Sequence, residues 1–598
     1  MNRDRRRMLW ADGRRGFSTP IALLVAILLL TLRTVSSVQD LPSGPLHFVL
    51  VVLDSVGKGD LFTSEDRMGY STPSFNKLAS QGVVLRNYYV QTESSPTRAA
   101  LLTGKYPFKI GLQEQLVTGT TAHIPLTVPT LPEMLKASRM YETHLVGGWG
   151  LGSARVEYTP TFRGFDTFYG FLGSEIDYVN KTRGKGIDFW DEVAGKTRYE
   201  RAAWSAQGNY STLQYVQRTR RVLEDYVQRH PTAKDQELTP LFLMISHQAM
   251  HSTVLRGHPE QPNRCKKASK ARKQYCAMMA AVDDAMGDLS VNLQKLGLWS
   301  NTIIIVTSDS GSMVPLKGYD EETNLPITPG STGSNYPYRG SKTTLFEGGV
   351  RGVAMISGGA LDPEVKGKIY DGLAHAVDVP VFILSAIFER YRRLWMDTKT
   401  EEVAMQLTKL KSAMESLDGV PLVNVLSPSG SDGQMDFLRR YRAPRTEIPL
   451  NIDASGLDFS AVRFGRWKLI IGSSQIYRSG DGWWPSSAEG DPQLPKPDRN
   501  RFFTLYRLFD LIADPLEKVN MRNFSEVIKE GRARIRAMVK YGGYQEPQFN
   551  AFHPLSLPIL HNGAWAPFLK DDSDEFHTRI NQLGKGRFDA DGAGIALA

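Results

Sequence analysis

The chain has 598 residues, 41% hydrophobic and 10% aromatic, enough to bury a large core and to form more than one structural unit. That composition excludes a disordered chain, and two cysteines exclude a zinc-type cysteine cluster. The formal net charge is +9, but residues 1–37 hold seven Lys/Arg against two Asp, so loss of that segment leaves +4, and basicity gives no argument for a nucleic-acid partner.

The first element is the apolar run Ile21 to Leu32, behind Arg3, Arg5, Arg6, Arg7, Arg14 and Arg15 and followed by Val35-Ser36-Ser37. Residues 1–37 read as a signal peptide or, if uncleaved, as a signal anchor, the one way in which a membrane enters. The chain is expected in the secretory pathway: secreted, lysosomal, or in the ER or Golgi lumen. Asn180, Asn209 and Asn523 head N-x-S/T sequons that agree with such a route.

Short apolar runs then read as strands buried on both faces: "HFVLVVL" from His47, "THLVGG" from Thr143, "LFLMIS" from Leu241, "TIIIVTS" from Thr302 and "GVAMIS" from Gly352. Helical patterns separate them, most clearly Met278, Val282, Met286, Leu289, Leu293 and Leu296, which form one apolar stripe. Alternating strands and helices predict an α/β fold with a large, mainly parallel sheet and helices on both faces, in a domain over 46–390. "TEEVAMQLTKLKSAMESL" then reads as a helix, while "SAVRFGRWKLIIGSS" and "FTLYRLFDLIADP" read as short antiparallel strands. They predict a C-terminal α+β subdomain within 391–570, and 571–598 reads as a flexible tail.

Ligands of open parallel sheets bind beyond the carboxyl ends of the strands. There stand Asp54, Asp309, the pair His247 and His251, and "GGWGLG" after Thr143. Two carboxylates and a histidine at one edge can hold a hard cation, or each Asp can simply cap the next helix or turn. In "SSPTRAALL", Pro96 suits the first turn of a helix, which places Ser94 or Ser95 at its positive end; Arg98 is then either an anion clamp or a surface residue. The spacing Gly147 to Gly152 is not a dinucleotide fingerprint, His247 and His251 lack a zincin glutamate, and no G-x-S-x-G elbow occurs. "RCKKASKARK", Arg264 to Lys273, is read as a solvated loop or as a docking strip for an anionic polymer; Cys265 and Cys276 either close one small loop here or stay separate.

Taken together, "STPSFNKLASQGVVLRNYYVQ", "SSPTRAALLTGKYPFKIGLQ", "RGFDTFYGFLGSEIDY", "YPYRGSKTTLFEGGVRG" and "HNGAWAPFLKDD" resemble the sulfatase family, and most closely its arylsulfatase B, I and J branch, over about 47–570. The resemblance implies an alkaline-phosphatase-like fold and hydrolysis of sulfate esters by a formylglycine, made from the cysteine of a C-x-P-x-R signature, beside a Ca2+ ion. Here that cysteine is Ser94, at which formylglycine is not expected. The family's calcium-binding Asp pair maps to Asp54 and Ser55, and its Asp-Asn pair to Asp309 and Ser310. The Lys and His of a "GKWHLG"-type motif map to Gly148 and Gly150. Arg98, His251 and Lys342 survive.

Losses in the metal shell cost at least the roughly 10–100-fold of an outer-shell change, and each missing charge-stabilising donor costs about 10²–10³ in rate. The resemblance therefore implies a sulfuric ester hydrolase by ancestry, which acts on or binds sulfated carbohydrate or an aryl sulfate ester, with hydrolysis reduced or absent. Two alternatives stand beside it: an active hydrolase using Ser94 as nucleophile with a divalent metal, and a non-enzymatic subunit of a protein partner.

Overall fold

The computed structural model describes residues 45–62, 68–138, 141–196, 202–251, 262–268, 272–314, 333–422, 444–453, 459–472, 506–548 and 550–569. The apolar run at Ile21, the segment 571–598 and the middle of the basic strip, Lys270, lie outside them. Among the described residues, no helix is long and apolar enough to cross a membrane.

The strands are β1 (His47–Leu53), β2 (Val83–Tyr89), β3 (Glu142–Gly148), β4 (Thr167–Phe171), β5 (Thr182–Arg183), β6 (Gly186–Ile187), β7 (Trp190–Val193), β8 (Leu241–His247), β9 (Thr302–Ser308), β10 (Ala354–Ser357), β11 (Lys368–His375), β12 (Glu447–Asn451), β13 (Ser460–Phe464), β14 (Trp467–Ile471) and β15 (Tyr506–Asp510). One nine-stranded sheet runs β11-β2-β10-β9-β1-β8-β3-β4-β7. Its centre, β9-β1-β8-β3-β4, is all parallel, as the continuous apolar runs predict. The run at Gly352 is also a strand, but β10 is antiparallel to both of its neighbours, a direction that an apolar run does not encode.

Eight helices of at least two turns matter here: α1 (Pro73–Ser80), α2 (Ser94–Thr103), α3 (Leu131–Ser138), α4 (Ser211–Arg229), α5 (Lys273–Lys295), α6 (Asp378–Thr398), α7 (Glu401–Glu415) and α8 (Ser525–Tyr541). Seven of them fall into two groups, α5 packing on α1 and α4, and α2, α3, α6 and α7 packing on one another, while α8 lies on the C-terminal strands. The predicted methionine stripe is the inner face of α5, with Met278, Val282, Met286, Leu289 and Leu293 all buried.

A second sheet, β12-β13-β14-β15, is antiparallel throughout, as the two C-terminal segments predict. It docks through charge as well as apolar contact. Lys468 on β14 is fully buried, with Nζ 3.0 Å from Glu347 Oε1 and 2.9 Å from Glu517 Oε1, and both carboxylates are buried too. Glu347 also accepts from Tyr89 Oη at 2.8 Å and from Arg351 Nη1 at 3.2 Å. Burial opposes its ionisation, yet Lys468, Arg351 and Arg463 hold it down to about 2.

Cys265 and Cys276 form a disulfide with Cα atoms 5.8 Å apart. Around it the basic strip is divided. Arg272 turns inward onto Asp60, Arg264 pairs with Asp283 and Asp284, and Lys266 and Lys267 remain exposed.

Candidate active site

Leu53 at the end of β1 is in register with His247 of β8 and with Ser308 of β9, so Asp54 and Asp309 leave neighbouring strands at the same edge. Ser55 takes a left-handed backbone, φ 58°, which turns its amide onto Asp309 Oδ1 at 3.0 Å. Neither aspartate caps a helix. Both are bound by one guanidinium: Arg98 Nη2 donates to Asp54 Oδ2 at 3.2 Å and Nε donates to Asp309 Oδ2 at 3.0 Å. Its third contact is Nη1 to the Gly148 carbonyl at 3.1 Å.

The glycine is what permits this. A Cβ at Gly148 would stand 2.8 Å from Arg98 Nη1 and 2.6 Å from Phe171 Cζ. Arg98 thus fills the space into which a side chain at 148 would grow. Gly150, with φ +69°, meets nothing closer than 3.7 Å.

Ser94 is the first residue of α2, with Glu93 as the cap, so its hydroxyl is free of capping duty. Ser94 Oγ lies 3.5 Å from Asp54 Oδ1 and accepts from Lys342 Nζ at 3.2 Å. Lys342 also donates to Ser55 Oγ at 2.8 Å and stands 3.8 Å from Asp54 Oδ1. Ser95 points elsewhere, its Oγ donating to the Gly150 carbonyl at 2.9 Å. His251 is 20% exposed and places Nδ1 3.2 Å from Glu175 Oε2. His247 is core, with burial pulling it down to about 4, hence neutral.

Electrostatics follow the geometry. Burial works against ionising Asp54, but His251, Lys342 and Arg98, with the Ser55 hydroxyl, hold its carboxyl below the usual range. Asp309 moves the other way, raised by burial and by the charge of Asp54, with Arg98 and Lys342 offsetting only part. The His251 ring, 3.2 Å away, leads the causes that hold Glu175 down to about 2. Glu175 is the member of the site that no sequence argument singled out, although it lies in the quoted stretch "GSEIDY".

Calcium takes six to eight oxygens. The carboxylates on offer are Asp54 and Asp309, and all four of their oxygens already accept hydrogen bonds from Ser55, Ser94, Ser310 or Arg98. Among the described residues, no three His, Cys, Asp or Glu side chains gather as a metal site. With a guanidinium and an ammonium in place, the donor set does not fit a calcium ion. Asn180, Asn209 and Asn523 are all exposed.

The two sheets and their helices are an alkaline-phosphatase-like architecture. A sulfatase family model matches residues 47–387, and the chain belongs to the sulfatase family. It is 30% identical to arylsulfatase J of Mus musculus over 549 residues, 88% of this chain and 81% of that protein. To N-acetylgalactosamine-6-sulfatase of Mus musculus it is 29% identical over 322 residues, 52% of this chain and 57% of that protein. In structure it resembles Ps i-CgsB, crystallised with a neocarrahexaose, at TM-score 0.58 and 20% identity over 90% of this chain and 98% of that one. It also resembles the sulfatase PsFucS1 from Pseudoalteromonas, at 0.56 and 21% over 88% and 96%.

Proposed function

We propose that this chain is a sulfatase-family protein that binds sulfated carbohydrate and hydrolyses sulfate esters slowly or not at all. The observation that carries the reading is Arg98, buried between Asp54 and Asp309. Sulfuryl transfer needs an activated in-line nucleophile, positive charge on the equatorial oxygens and a proton for the leaving group. Arg98 spends its charge on two carboxylates instead. Ser94 is a plain hydroxyl, and the base within reach, Asp54, holds protons less well than an ordinary carboxylate. A base so mismatched to a serine hydroxyl activates it poorly. Beside them stand Lys342, buried with Nζ on the Ser55 and Ser94 hydroxyls, and His251, 20% exposed, the two contacts this reading offers one sulfate group.

Calorimetric titration with a sulfated disaccharide tests the binding half. Lys342→Met is expected to weaken it about tenfold, the scale of a lost charge-assisted contact, and the desulfated sugar is expected not to bind. Equal affinity of parent and Lys342→Met rejects the pocket as the binding site.

A further inference from the structure

The C-terminal unit carries a second cationic feature. Helix α8 lies on β13 and β14 through Ile528, Gly531 and Ile535, all buried. A Cβ at Gly531 would come 2.7 Å from Leu469 Cδ2, so the glycine lets the helix settle onto the sheet. With that face committed, the 3.6-residue repeat aligns Lys529, Arg532, Arg536 and Lys540 in one row on another face. Together with Ala533, Ala537 and Tyr541 they line a groove of about 340 Å3, with no acidic residue in its lining among the described residues.

Neighbours do little to neutralise the row. Lys529 meets Glu526 at 2.7 Å, but both are well exposed, and such a pair gives way readily to a competing anion. Arg532 stacks over the Tyr506 ring at 5.0 Å, and its Nε is buried with no hydrogen-bond partner among the described residues. Arg536 is exposed, and neither it nor Lys540 has a carboxylate at ion-pair distance among the described residues. At the end of the groove Tyr541 is 76% exposed.

We infer that this groove docks a linear sulfated glycan, independently of the pocket at Ser94. From Lys529 to Lys540 the row spans roughly 16 Å at 1.5 Å per residue, a track for a chain of repeating anions rather than a seat for one. Guanidinium forks match pairs of sulfate oxygens, and an exposed aromatic ring offers a surface for a sugar face. A membrane fits less well: an interfacial helix needs a free apolar face, and that of α8 is spent on the sheet.

The test uses the full chain with heparin, its desulfated counterpart and phosphatidylserine vesicles as probes. Arg536→Glu/Lys540→Glu is expected to bind heparin at least about tenfold more weakly with a shallower salt dependence, and Arg536→Gln/Lys540→Gln less severely, with unchanged circular dichroism. Lys342→Met is expected to lower heparin affinity less than the charge-reversed pair does, while the α8 pairs keep affinity for the sulfated disaccharide, so the two sites fail separately. Undiminished heparin binding by the charge-reversed pair, or binding of the parent to vesicles but not to heparin, overturns the inference.

Discussion

Replacing Arg98 by methionine removes the cation and keeps most of the volume. Arg98, Asp54 and Asp309 are 3%, 1% and 0% exposed, so the loss strands two carboxylates away from water. Breaking a buried pair in this way costs about 3–5 kcal/mol. Lys342, 3.8 Å from Asp54, and protonation of Asp309 soften the loss, which places it near the lower figure of about 3 kcal/mol. The variant also frees two facing carboxylates for a divalent cation. Urea unfolding near neutral pH, with millimolar calcium or with chelator, reads both effects. The variant should regain about 2.7 kcal/mol once calcium exceeds its dissociation constant a hundredfold, whereas the parent should be indifferent to calcium. A parent stabilised by calcium, with Arg98→Met unresponsive, would refute the idea that the guanidinium stands where a metal would.

Lys468→Met leaves Glu347 and Glu517 buried beside each other and should cost about 3–5 kcal/mol in urea unfolding; an unchanged midpoint would contradict the docking role given to Lys468. Glu142 is penalised by burial, yet His144, Arg229 and His230 pull it down to about 2, so its contribution to stability is present above the ordinary glutamate range and is lost as pH falls toward 2. Thermal unfolding between those limits should therefore drop more steeply for the parent than for Glu142→Gln, and parallel curves would count against the pairing. The Cys265–Cys276 bridge closes a loop with a sequence separation of 11, for which chain entropy predicts up to about 3 kcal/mol. Cys265→Ser/Cys276→Ser should lose stability on that scale, and non-reducing peptide mapping of the parent should find the two peptides joined.

The legible parts of the fold are those where burial on both faces leaves one long apolar signature. Strands β1, β8 and β9 stand out for this reason. Edge strand β11 does not, because Lys368, Ile369 and Asp371 face solvent and its register shifts between Tyr370 and Leu373. At the site, Asp54 and Asp309 were legible because neighbouring parallel strands end where ligands bind. That Ser94, Arg98 and Lys342 converge on them came from the family resemblance, since 248 positions separate Ser94 from Lys342. The inward turn of Arg98 was not legible at all. It depends on empty space at Gly148, a contact made between a helix and a strand end with no local trace in either segment.

Sulfate release from an aryl sulfate and from sulfated glycosaminoglycan fragments, with calcium present and beside Ser94→Ala, bears most directly on the proposed function. The arrangement of Arg98, Lys342 and Ser94 predicts that parent and variant both stay at background while the sulfated sugar still binds. Turnover by the parent that disappears in Ser94→Ala would contradict it, making Ser94 a working nucleophile.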